Sequence, residues 1–122
     1  MDLVGLVVAT AAALAVSAVY YGIVPPADLA EPVPQRSTRA LLLVEGLRNA
    51  AVATLLTGLL ATADWDGLVA GALIGLALWV LPIVLFAGSV FHEGVAMRRA
   101  FVHSVDWLIK LVVIGAVTGL FI

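Results

Sequence analysis

The chain has 122 residues, 64% hydrophobic and 11% charged, with mean hydropathy +1.20 and a formal charge of −2. Soluble domains carry about 25% charged residues, so a chain this apolar cannot cover itself with polar surface, and its solvent is lipid. The absence of cysteine excludes disulfides, thiolate catalysis and Cys-ligated metal or iron–sulfur sites, and no basic block marks a nucleic-acid partner.

The first apolar run, residues 3–24, is long enough to span a bilayer. Asp2 is placed to cap it. Only Met1 and Asp2 precede it, so it lacks a basic leader segment. It also continues past the small-residue pattern Val16-Ser-Ala18. A retained span is expected, not a cleaved leader. Alanines at 9, 11, 12, 13, 15 and 18 allow close helix approach, and Tyr20 and Tyr21 sit at interface depth. Pro25-Pro26 stops the helix. The stretch from Pro25 to Arg39, with Pro32, Pro34, Asp28, Glu31 and Arg36, has the composition of an extended or turn-rich loop.

Span two covers residues 38–62, capped by Ser37 or Thr38. Its first half carries Glu45, Arg48 and Asn49. Its second half is apolar apart from Thr54 and Thr57. Thr62-Ala-Asp-Trp-Asp-Gly67 is a tight acidic turn with Trp65 as an interface anchor. Span three covers residues 67–91. Gly67, Gly71 and Gly75 form a ridge without side chains, and Pro82 kinks the span by freeing the carbonyl of Leu78. His92 and Glu93 close it, and a loop over residues 94–100 carries Arg98 and Arg99. Span four covers residues 101–122. His103, Asp106 and Lys110 are spaced to share one helical face, and Gly115 and Gly119 repeat the four-residue spacing. The expected fold is all-α, a single domain over residues 1–122 formed as a bundle of four transmembrane helices.

Positive charge orients the bundle. Arg36 and Arg39 lie in the first loop, and Arg98 and Arg99 in the third. The second loop holds only Asp64 and Asp66. The positive-inside bias puts residues 25–39 and 92–100 in the cytoplasm and both termini outside, in a cell inner membrane. Glu45, Arg48, Asn49, Glu93, His103, Asp106 and Lys110 then collect in the cytoplasmic half. Lys110 lies about nine residues beyond Phe101, roughly 14 Å along the helix. Side chains in spans two and four point back towards the cytoplasm, so Arg48 and Lys110 can snorkel.

Two meanings of this layer compete. Asp106–Lys110 and Glu45–Arg48 are i,i+4 and i,i+3 pairs that neutralise themselves and anchor helices. If the spans face each other, Glu45 can instead meet Lys110 and Arg48 can meet Asp106, which favours a site. His92 and His103 are candidate metal or bis-histidine haem ligands, with Glu93 as a further metal ligand, but no spacing rule is met and both fit boundary residues in contact with water, the reading favoured here. Ser104 diverges from His103 on the helix, so no nucleophile set forms. Trp79 and Trp107 are expected to face lipid or to pack.

The stretches Ala18-Val-Tyr-Tyr-Gly22, Gly71-Ala-Leu-Ile-Gly-Leu-Ala-Leu-Trp79, Phe91-His-Glu-Gly94 and Ile114-Gly-Ala-Val-Thr-Gly-Leu-Phe121 together cover most of the chain's helical framework. In them the chain resembles the bacterial family described as domain of unknown function 1761, small four-span membrane proteins. The resemblance implies the fold and carries no activity. His92 is inserted into the family's turn after span three, and His103, Asp106 and Lys110 are more charged than the residues usual there.

The resulting expectation is a non-enzymatic membrane protein without cofactor or metal, acting as an oligomeric accessory or structural subunit. Its partners would be the lipid bilayer, a second copy of itself (a dimer is favoured) and a larger membrane complex. The alternative is a small-solute or proton-coupled transporter or channel that uses the polar layer.

Overall fold

A computed structural model describes residues 3–24 and 37–122. The expected cap at Asp2, the Pro25-Pro26 stop and most of the first loop, Arg36 included, lie outside the described residues. Five helices follow in order: α1 Leu3–Ile23, α2 Thr38–Ala63, α3 Leu68–Leu78, α4 Val80–Glu93 and α5 Met97–Leu120. Among the described residues there are four helices long and apolar enough to cross a membrane, α3 and α4 together forming one of them.

The helix ends follow local chemistry. The Ser37 side chain accepts the Ala40 N–H at 3.1 Å, so Ser37 and not Thr38 caps α2. At Gly94, φ is 71°, a left-handed conformation that ends α4, and the following Val95 N–H reaches back to the Ser89 carbonyl at 3.1 Å. Helix α5 starts at Met97, so Arg98 and Arg99 belong to its first turn and not to a loop running to residue 100. Nothing between Gly94 and Phe101 breaks a helix once the left-handed glycine has been passed.

The third span is interrupted at a single residue, and Trp79 itself keeps helical φ and ψ of −60° and −20°, as a proline kink requires. Helix α3 ends at Leu78, Trp79 forms a turn, and α4 begins at Val80. Pro82 then falls in the first turn of α4, where its missing N–H is tolerated. The interruption at Trp79 directly follows Leu78, the residue whose carbonyl Pro82 cannot serve.

Helix α5 is the centre of the bundle, and α1, α2, α3 and α4 all pack on it. Lipid is as apolar as leucine, so close backbone approach and polar ties must hold these helices together. On α1 the buried face is a small-residue stripe of Gly5, Ala9, Ala13 and Ser17. On α2 it is Asn49, Ala53, Leu56 and Leu60. The core joins Ala9, Ala13, Ala53, Leu56 and Ile114, with Leu6, Val52, Ile74, Leu78 and Val117 against it.

The tightest contact is between α3 and α5. A Cβ on Gly71 would overlap the carbonyl oxygen of Gly115, and one on Gly115 would overlap that of Gly71. A Cβ on Gly75 would meet the Leu111 carbonyl, and one on Gly119 the Gly67 carbonyl. The Gly67 N–H also donates to the Gly119 carbonyl at 2.9 Å, tying the two helix ends. All five glycines of the two ridges are thus used inside one chain. Outward, the helices present Leu41, Leu47, Leu55, Val69, Leu73, Val84 and similar side chains.

Candidate functional site

The polar layer forms at the end of the bundle where α2 and α5 begin and α1 ends. Its centre is Lys110, only 2% exposed. The ammonium lies 2.9 Å from Asp106 Oδ2 on its own helix and 2.9 Å from Glu45 Oε2 on α2. It also sits 4.7 Å from the centre of the Trp107 ring. The second Glu45 oxygen accepts from Arg48 at 2.7 Å, and the Arg48 guanidinium lies 5.0 Å over the same Trp107 ring. The second Asp106 oxygen accepts from the Ser17 hydroxyl of α1 at 2.5 Å. Two carboxylates, two cations, one hydroxyl and one indole face therefore link α1, α5 and α2.

The pairing between spans is partly the one that facing helices suggest. Glu45 meets Lys110. Arg48 does not meet Asp106; it keeps its i,i+3 partner and stacks on Trp107. Ser17 and Lys110 occupy the Asp106 carboxylate from two sides. Trp107 is a platform for two cations, not a lipid-facing side chain. Trp79, at the break in span three, donates its indole N–H to the Ser104 carbonyl at 2.8 Å, which ties that break to α5.

A second group lies beside the layer. The Tyr21 hydroxyl and His103 Nδ1 are 2.6 Å apart, and the His103 ring stacks on Phe86 of α4 with centroids 6.1 Å apart. Tyr20 donates to the Val102 carbonyl at 3.0 Å. His103 is therefore half-buried among aromatic rings and is not a boundary side chain in water. His92 and Glu93 are exposed at the end of α4, so Glu93 does not join the Lys110 cluster. Asn49 is fully buried one turn beyond Glu45. Among the described residues no three His, Asp or Glu side chains are grouped to hold a metal ion.

Ser17 is a member that the sequence pattern does not single out, and Tyr21, expected only as an interface residue, meets His103. Ser17 looks like one more small residue in the α1 stripe, four positions after Ala13. Its depth, level with Tyr20 and Tyr21, is the signal that could have marked it.

The family model described as "Protein of unknown function (DUF1761)" matches residues 4–119. The chain belongs to this family. No curated protein and no solved structure matches it. The matched region of this DUF1761 chain takes in parts of all four helices long and apolar enough to cross a membrane and the whole polar layer, from Ser17 to Lys110.

Proposed function

We propose that this chain is a small non-enzymatic integral membrane protein, an accessory or structural subunit whose charged layer fastens α1, α2 and α5. The observation that carries this reading is the enclosure of the Lys110 ammonium between Glu45, Asp106 and the Trp107 ring. An ammonium has three donors, and here two carboxylates and an aromatic face take them up. None is left for a passing solute. Two carboxylates against two cations leave the layer without net charge, the condition under which buried ions are tolerated. On the far side of the layer, buried Thr118 turns its hydroxyl to the carbonyls of its own helix, at 2.8 and 3.1 Å from Ile114 and Gly115.

The proposal includes the orientation. The arginines that begin α2 and α5 face the cytoplasm and both termini face outward, in the inner membrane, as the positive-inside bias favours. It also includes a homodimer. The outward face of α2 carries exposed Ala51, Thr54 and Gly58, with open space around a Cβ at Gly58, which suits close approach by a second copy. The transporter reading draws on a different feature of the same layer. The Arg48 and Glu45 side chains are 49% and 30% exposed, so the layer opens on the α2 side.

Flux separates the two. Wild type and Asp106→Asn are reconstituted in proteoliposomes under a proton gradient, with unfolding followed in parallel. The accessory reading expects no wild-type flux and a loss of stability in the variant. A wild-type flux that disappears in a variant of unchanged stability sinks it.

A further inference from the structure

Asn49 is the chain's single asparagine, and its side chain is 0% exposed. Neither its amide nitrogen nor its carbonyl oxygen has a hydrogen-bond partner among the described residues. A primary amide offers two donors and two acceptor lone pairs, and a buried polar group left dry is costly enough that such groups are almost always served. The rest of the buried α2 face is Ala53, Leu56 and Leu60, any of which would fill such a position without that cost.

The helix register places Asn49. One turn before it, Glu45 reaches Lys110. One turn after it, Ala53 packs in the core with Ala9, Ala13 and Ile114. On α5, Lys110 and Ile114 bracket the same level, and on α1, Ser17 and Ala13 do so. Asn49 therefore lies where the charged layer borders the apolar core, at the level of Ala13 and Ser17 on α1 and one turn before Ala53 on its own helix. The layer beside it is rich in acceptors. Asp106 Oδ1 and Oδ2 and Glu45 Oε1 and Oε2 accept from Ser17, Lys110, Arg48 and Lys110 respectively, the Tyr21 hydroxyl also faces Asp106, and each carboxylate, with about four lone-pair sites, keeps acceptor capacity. Whatever joins the amide to these oxygens must both donate and accept, and it must be small. It must also be neutral, because the four charges already cancel.

Water meets all of these conditions, since a buried water typically holds two to four polar partners. We propose that Asn49 binds a structural water molecule that bridges its amide to the carboxylates around Lys110, a hydration site inside the membrane-spanning bundle. The inference goes beyond the fastening role and does not rest on it, because a fastener and a transporter would each hold this water.

The test uses the full chain in lipid nanodiscs with 15N-labelled asparagine, which gives one side-chain amide signal pair. Magnetisation transfer from water to those two protons is recorded, and the thermal midpoints of wild type and Asn49→Leu are compared. A cross-peak with the sign of a long-lived bound water, together with a lower midpoint for Asn49→Leu, is the expected result. Absence of the cross-peak overturns the proposal. So does an Asn49→Leu midpoint at or above wild type, which would mean that the amide is dry and its removal a relief. The cross-peak is measured on the wild-type chain, so a variant that fails to fold leaves the question decidable.

Discussion

The Ser17 hydroxyl donates to Asp106 Oδ1 at 2.5 Å, joining residues 89 positions apart. This bond fixes the Asp106 carboxylate so that its other oxygen meets Lys110, which in turn reaches Glu45. Ser17, Asp106, Lys110 and Glu45 thus thread the first, last and second spans in one line. Each link is charge-assisted, the stronger class of hydrogen bond. In lipid, where burial of leucine against leucine gives no hydrophobic gain, such links and the glycine contacts account for the packing of this bundle.

The Asp106–Lys110 pair makes the first prediction. Lys110→Met leaves Asp106 and Glu45 facing one another with only Arg48 to balance them. Breaking a buried pair in this way costs about 3–5 kcal/mol. Asp106→Asn/Lys110→Met removes one charge of each sign and leaves Glu45–Arg48 paired, so the double variant should recover most of that loss. Unfolding of purified protein in mixed micelles measures both. A double variant no more stable than Lys110→Met would show that the pair does not fasten the bundle.

Ser17→Ala should cost about 1.5–3 kcal/mol, the range for a hydrogen bond to a charged group. In an Asp106→Asn background the same change should cost less, because the acceptor is no longer charged. A double-mutant cycle gives the coupling directly. Purely additive effects would mean that Ser17 contributes only its small size to the α1 stripe.

Much of this architecture was legible because membranes impose length. Four apolar runs separated by Pro- and Asp-containing turns can form little else, and alternating span direction set the depth of Glu45, Asp106 and Lys110. The identities of their partners were not legible. Ser17 differs from the alanines of its stripe by one oxygen atom, and nothing in spacing says which helix that oxygen faces. The sequence offers Arg48 two acidic partners, and it keeps Glu45 and the Trp107 ring while Ser17 and Lys110 take up Asp106. The start of α5 was misplaced by four residues because Arg98 and Arg99 carry loop-like charge but good helix propensity. Pro82 signals the disturbance, and the interruption falls at Trp79, directly after the Leu78 carbonyl that Pro82 cannot serve.

The glycines divide into two groups with opposite expected behaviour. At Gly71 and Gly115 a new methyl group would strike the partner's backbone carbonyl, which cannot rotate away. Gly71→Ala or Gly115→Ala must push α3 from α5, with a cost of about 1–3 kcal/mol or more as for other overpacked cores. Gly46 in α2 and Gly88 in α4 have nothing within 4 Å of a Cβ. Alanine there should be neutral or stabilise by up to about 1 kcal/mol through helix propensity. Unfolding curves of the four single variants test the contrast. Equal losses in both groups would contradict the α3–α5 contact.

Orientation can be settled by labelling, since the chain has no cysteine to remove. Arg39 begins α2, and Arg98 and Arg99 begin α5, at one end of the bundle. The turn at the other end offers Asp64 and Asp66 but no cation. Lysine and arginine near short loops are retained in the cytoplasm, whereas acidic residues contribute little to the choice. Asp66 and Ala96 are exposed and lie at opposite ends of the third span. Asp66→Cys should therefore react with a membrane-impermeant maleimide on intact cells, and Ala96→Cys only after permeabilisation. The reverse pattern would invert the orientation. Reaction of both on intact cells would mean that α3 and α4 together do not cross the bilayer, and the shared depth of Glu45, Asp106 and Lys110 would then need a different explanation.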